Sequence, residues 1–187
     1  LTGIMPNREW KKKNKGERWQ KGETLITVIG QGFMLATPLQ ITNMTAILAS
    51  GKKIKPKILY NSDNIFENTE ISHKNLTFIR EAMYSVVNEY GGTAYSSRLN
   101  GKYKLVGKTG TSQVRKISKE EREIGVLKNE EINYKLRDHS IFTGFAPYDK
   151  PKFAITVVAE HMGSGSKVAA PIAKKIINFS LKKFFNT

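Results

Sequence analysis

The sequence predicts an α+β fold, an antiparallel sheet flanked by helices. Three observations point to it. Apolar residues recur at helical spacing in three segments, near 37–50, 76–90 and 168–185. Two β-type runs, 140–145 and 153–160, flank Asp149-Lys150-Pro151, which is a hairpin signal with a longer loop. A third run, Leu105-Val106-Gly107-Lys108-Thr109-Gly110-Thr111-Ser112-Gln113, reads as a strand with glycines on either side of its lysine.

In chain order, residues 1–24 read as an irregular segment with a turn at Met5-Pro6-Asn7, where Trp10 and Trp19 either cap a core or line a groove. Thr24 to Val28 reads as a short strand, broken by Gly30-Gln31-Gly32. Thr37-Pro38-Leu39-Gln40 opens a helix: Thr37 takes the N-cap, Pro38 the first helical position, and Gln40 completes a capping box. Ile41, Met44, Thr45 and Leu48 continue it, and Gly51 is a natural stop. Residues 52–70 read as extended and turn structure. A second helix is predicted from Leu76 to Tyr90, burying Leu76, Ile79, Met83, Val86 and Tyr90 and ending at Gly91-Gly92.

Residues 115–137 carry seven Lys or Arg against five Glu with little apolar periodicity, and read as a long, mobile loop between strands. Gly163-Ser164-Gly165-Ser166 is a flexible connector. The last helix, Val168 to Phe185, admits Pro171 in its first turn. It is expected to bury Ile172, Ala173, Ile176, Ile177, Phe179 and Phe184 on the sheet and to expose Lys174, Lys175, Asn178 and Lys182.

Composition narrows the function classes. A hydrophobic content of 39% with 10% aromatics belongs to a globular chain. There is no cysteine, which excludes disulfides and thiolate metal sites and fits an oxidising compartment such as the periplasm. No apolar run reaches membrane-spanning length, and the first residues form no signal peptide. The formal net charge of +15 raises nucleic-acid binding, but the cations are dispersed and no zinc finger, aromatic RNA-binding strand or basic zipper accompanies them. They read as a solvated basic surface facing an anionic lipid or cell-wall polymer. His73, His139 and His161 lack metal-ligand spacing, and the Glu120-Glu121 and Glu130-Glu131 pairs read as solvated. No metal and no cofactor is expected.

The 105–113 strand carries the chemistry. Lys108 can place an amine beside a nucleophilic serine and tune it or relay its proton. Alternation puts Lys108 and Thr109 on opposite faces, so both meet one ligand only where the strand edges a cleft. Thr109 and Thr111 offer hydroxyls to a substrate carboxylate, and the Thr111 backbone N–H suits an oxyanion hole. Gly107 and Gly110 leave room for a peptide to lie along the strand. The bland alternative is a strand end with a solvent-reaching lysine.

Four motifs occur in order: Trp19-Gln20-Lys21-Gly22-Glu23-Thr24, the run from Gly30 to Gln40, Gly107-Lys108-Thr109-Gly110-Thr111-Ser112, and Phe142-Thr143-Gly144-Phe145-Ala146-Pro147. Together they resemble the C-terminal part of the transpeptidase domain of class B penicillin-binding proteins. The stretch Gly3 to Lys13 favours the elongation-specific type. The resemblance implies a penicillin-binding/β-lactamase-like fold with helices on both faces of the sheet. It also implies a serine DD-transpeptidase that cross-links peptidoglycan stem peptides and is acylated by β-lactam antibiotics. Lys108 would be catalytic, and Thr109, Gly110 and Thr111 would bind substrate. Elongation-complex membrane proteins would be partners, at the periplasmic face of an inner membrane to which an upstream segment anchors the chain. Lys-Thr-Gly also occurs in serine β-lactamases, so a hydrolase, or a non-catalytic binding module of this fold, stands as an alternative.

One departure matters. The family needs a Ser-x-x-Lys nucleophile at a helix start and a Ser-x-Asn loop. Ser50-Gly51-Lys52-Lys53, Ser164-Gly165-Ser166-Lys167 and Ser62-Asp63-Asn64 match formally. Ser and Lys three apart meet only within a helix, whereas Ser50 ends one and Ser164 lies in a Gly-rich connector. The nucleophile and second motif are therefore expected upstream of Leu1.

Overall fold

The computed structural model describes residues 2–58, 66–115 and 117–185. They form two compact units, Leu1–Gln40 and Ile41–Thr187, each described by itself.

In the first unit the expectation of an irregular segment and a strand is overturned. Helix α1 spans Arg8–Lys15, capped by Asn7, whose side chain accepts the Trp10 N–H at 2.7 Å, and stopped by Gly16 at φ 69°. Helix α2 spans Lys21–Val28, so Thr24 to Val28 is helical. A capping box decides this: Glu23 accepts the Gln20 N–H at 2.6 Å, and that local bond outweighs the β preference of Thr24, Ile26 and Val28. Lys11, only 3% exposed, bonds Glu23 at 2.7 Å and Glu17 at 3.2 Å and joins the two helices. Trp10 packs on Phe33, and Trp19 donates to Thr24 Oγ1.

Helix α3 spans Pro38–Ser50, and the expected box is present: Thr37 N–H donates to Gln40 Oε1 and Gln40 N–H to Thr37 Oγ1. Gly51 closes it at φ 69°. Lys52–Lys53 (β1) pairs antiparallel with Glu67–Asn68 (β2). Helix α4 spans His73–Asn88, starting three residues earlier than predicted because Ser72 caps it. Its buried residues are Met83 and Val87, while Tyr90, predicted inside, is exposed past the helix end.

The core is a three-stranded antiparallel sheet in the order β3-β4-β5, with β3 Val106–Ser112, β4 His139–Ala146 and β5 Phe153–Ala159. Val106 pairs with Phe145, Lys108 with Thr143 and Thr111 with Ser140. Alternation then gives the sheet two unlike faces. Val106 and Phe145 pack with Ala49 of α3 and Met83 of α4. Phe142 and Ala146 pack on the other face with Ala169, Ala173, Ile177 and Leu181 of helix α6, Ala169–Phe185. The Phe142 ring lies across Gly107 and Gly144, where any Cβ would overlap it. On α6 two of the six residues expected inside are buried. Ala173 and Ile177 are buried, but Ile172, Ile176, Phe179 and Phe184 are exposed, because small Ala169 and Ala170 turn the helix by one stripe toward the sheet.

Residues 115–137 also differ from expectation. Between β3 and β4 lie helix α5, Lys119–Ile124, and two 3-10 turns, Asn129–Glu131 and Tyr134–Leu136. Ser118 caps α5, and the two terminal Arg115 guanidinium nitrogens, Nη1 and Nη2, donate to the Glu121 carboxylate, which also accepts the Leu127 N–H. Local capping and this ion pair supply the order that apolar periodicity does not. Glu121 is thus not solvated, and Glu131 accepts the Lys128 N–H.

Two outcomes are expected. Phe142→Ala should cost about 3–5 kcal/mol in denaturant unfolding, the usual range for a buried Phe; under 1 kcal/mol would contradict the packing above. The Arg115 hydrogen bond holds the Glu121 carboxyl below its ordinary 4.5. Its stabilisation is present above pH 4.5 and is lost only as pH falls through the lower folded value. An NMR titration of that carboxyl should inflect below pH 4.5, and an inflection at or above 4.5 would contradict the clasp.

Candidate active-site strand

All four predicted residues lie on β3, which has no second strand neighbour among the described residues. Among the described residues it is therefore the edge strand of its sheet. Lys108 is exposed on the α3 face, and its Nζ donates to the Thr109 carbonyl at 2.9 Å. Thr109 points to the other face, where its Oγ1 lies 2.9 Å from Thr93 Oγ1. A strand thus brings Lys108 and Thr109 to one place only along its edge.

Gly110 and Thr111 complete the stretch. The connector after β5 crosses the α6 face of the sheet here, and a Cβ on Gly165 would overlap both the Gly110 and the Ile141 carbonyl oxygens. Those two oxygens therefore crowd one point, so the Gly110 carbonyl lies on the β4 side of its strand. In a planar trans peptide the next N–H points the opposite way. The Thr111 N–H is accordingly aimed at the outer edge of β3, the direction an oxyanion-hole donor needs.

Sequence reasoning missed what stands beside and behind this strand. Thr143, the cross-strand partner of Lys108, lies 2.7 Å from Thr45 and 2.8 Å from Thr156, hydroxyl to hydroxyl, and Thr45 Oγ1 donates to the Ile41 carbonyl. This chain ties α3, β4 and β5 together on the face of Lys108. Its signal was the Thr within Phe142-Thr143-Gly144, noted as a motif without a role. His139 and His161, far apart in sequence, meet at the Ser112 end of β3. His161 N–H donates to His139 Nδ1 at 2.9 Å, and the rings pack edge to face. Among the described residues no group of three His, Asp or Glu is placed to hold a metal.

Ser50 and Ser164, the described serines of the formal matches, are both engaged locally. Ser50 Oγ donates back to the Ala46 carbonyl at the end of α3, and Lys53 leaves on β1 to pair with Glu70. Ser164 Oγ lies 2.8 Å from Ser166 Oγ. Ser62-Asp63-Asn64 lies outside the described residues.

The penicillin binding protein transpeptidase domain matches residues 2–178. The chain belongs to that family. It is 34% identical to the peptidoglycan D,D-transpeptidase MrdA of Haemophilus influenzae, over 96% of this chain and 29% of that protein. It is 32% identical to MrdA of Escherichia coli K12, over 89% of this chain and 28% of that one. The chain therefore spans under a third of the length of these curated relatives. The penicillin-binding protein PBP2 of Helicobacter pylori, solved in complex with MreC, superposes with a TM-score of 0.84 at 36% identity, covering 99% of this chain and 32% of that one. Pseudomonas aeruginosa PBP2, solved with WCK 5153, gives 0.70 at 34% identity, covering 94% and 36%. The subtype expected from residues 3–13 is the one these structures carry, and helices with an antiparallel sheet are its fold.

Proposed function

We propose that this chain is the Lys-Thr-Gly side of a peptidoglycan DD-transpeptidase, with the serine nucleophile and the Ser-x-Asn element supplied by residues outside these 187. The observation that carries the reading is the edge position of β3, with Lys108 exposed on one face and the Thr111 N–H directed outward. The donor is a stem peptide ending in D-Ala-D-Ala, which extends along β3. The serine Oγ attacks the penultimate carbonyl, the C–N bond breaks, and the departing D-Ala amine takes up the proton. Thr111 N–H steadies the developing oxyanion. Lys108 contributes a positive charge and a proton path at the serine, and Thr109 and Thr111 engage the terminal carboxylate. An amine of a neighbouring stem then attacks the ester and returns the serine hydroxyl. A β-lactam enters the first half and stops there.

The site and partners follow the same reading. The protein acts at the periplasmic face of the inner membrane, held by an anchor outside this chain. Among the described residues no helix is long and apolar enough to cross a membrane. Elongation-complex membrane proteins are the partners, in keeping with a structural neighbour solved with MreC. Nucleic acid is not a partner, and no cofactor takes part.

Lys108→Ala in the complete protein should slow acylation by penicillin by about two to four powers of ten, the range for proton-transfer groups. Acylation at the wild-type rate would remove Lys108 from the mechanism. Fast turnover of a chromogenic cephalosporin by the wild-type protein would move the assignment to a β-lactamase.

A further inference from the structure

We propose that Gly165, in the connector between β5 and α6, is a positioning residue for acyl transfer, because its bare backbone braces the Gly110–Thr111 peptide. The inference rests on the reading of β3 just given. Gly165 is buried, and its φ lies outside the left-handed region, so its backbone conformation is one that any residue adopts. The demand for glycine there is steric. A Cβ would overlap the carbonyl oxygens of Gly110 and Ile141 and stand 3.0 Å from the Gly110 nitrogen. Those are backbone atoms of two paired strands, which cannot swing aside as a side chain would.

The connector is held down at both ends of this contact. The Ser164 carbonyl accepts the Ser140 hydroxyl at 2.9 Å and the N–H groups of Lys167 and Val168 at 3.2 and 3.1 Å. Ser140 Oγ in turn accepts the Ala169 N–H at 3.0 Å, and the Gly165 carbonyl accepts the Ala170 N–H at 2.9 Å. Upstream, Gly163 N–H donates to the Asp138 carbonyl at 2.9 Å. Ser140 is fully buried and is the cross-strand partner of Thr111. One hydroxyl therefore ties the connector, the start of α6 and the strand position opposite Thr111 into one assembly.

The consequence for chemistry follows from peptide planarity. The Gly110 carbonyl and the Thr111 N–H belong to one rigid plane. Whatever fixes the oxygen on the inner side of β3 fixes the N–H on the outer side. A methyl group at 165 lifts the connector or tilts that plane, and a tilted N–H no longer faces the developing oxyanion. Ground-state binding along the rest of the strand is little affected, since the oxyanion interaction strengthens only in the transition state.

The test is stopped-flow acylation of the complete protein by a fluorescent penicillin, separating the maximal acylation rate from the pre-covalent dissociation constant. Gly165→Ala should lower the rate about 10- to 100-fold, approaching the loss of one oxyanion donor, with the dissociation constant within about threefold. Destabilisation alone would reduce the amplitude, which counts folded enzyme, and leave the rate of the remainder unchanged; that result overturns the proposal. Should Gly165→Ala not fold, Ser140→Ala, which frees the connector without adding bulk, carries the test. It should slow the rate at least about threefold, and a wild-type rate overturns the brace. Wild-type acylation by Lys108→Ala would instead overturn the underlying reading, so the two failures are distinguishable.

Discussion

The pairing of β3 with β4 is the constraint on which the rest of this structure depends. Side chains alternate with a period of two, so a slip of one residue would turn Lys108 and the buried Val106 together to the α6 face and bring Gly107 or Thr109 into the place of Lys108. Both faces enforce the observed register. On one, Phe142 fills the space above Gly107 and Gly144, which no other residue type would leave open. On the other, Phe145 and Val106 meet Ala49 and Met83, while Thr143 bonds Thr45 and Thr156. Either glycine replaced, or either aromatic displaced, acts on the position of Lys108 without touching it.

The same pairing explains why an exposed strand can hold a precise geometry. Among the described residues β3 has a strand partner on one side only, and edge strands are ordinarily free to twist. Here α4 lies against it: Asn88 Nδ2 donates to the Leu105 carbonyl at 2.8 Å just before the strand begins. At its far end Arg115 and Glu121 fold the following segment back on itself. In the proposed reading an extended ligand pairs along the outer edge, as a peptide substrate requires.

Much of this was legible in the sequence because the signals were local. The box at Thr37 and Gln40, the hairpin turn at Asp149-Lys150-Pro151 and the glycines around Lys108 each announce a conformation by themselves. What could not be read depends on partners remote in sequence. Helix α2 was read as a strand because Thr24, Ile26 and Val28 favour β structure and the Gln20–Glu23 box was overlooked. The 115–137 segment lacks apolar periodicity, yet Ser118 and the Arg115–Glu121 pair order it. The buried stripe of α6 was misplaced because Ala169 and Ala170, small enough for close approach, outweigh the larger Ile172 and Ile176. The His139–His161 contact and the Gly165 brace arise only when the turn after β5 folds over the sheet.

In the proposed reading this chain supplies one wall of an acyl-transfer site whose nucleophile lies elsewhere in the protein. Intact mass after incubation with a labelled penicillin tests it most directly, on the 187-residue chain and on the complete protein. An adduct is expected on the complete protein alone. An adduct on the 187-residue chain would place the nucleophile within it, and no adduct on either would contradict the transpeptidase reading altogether.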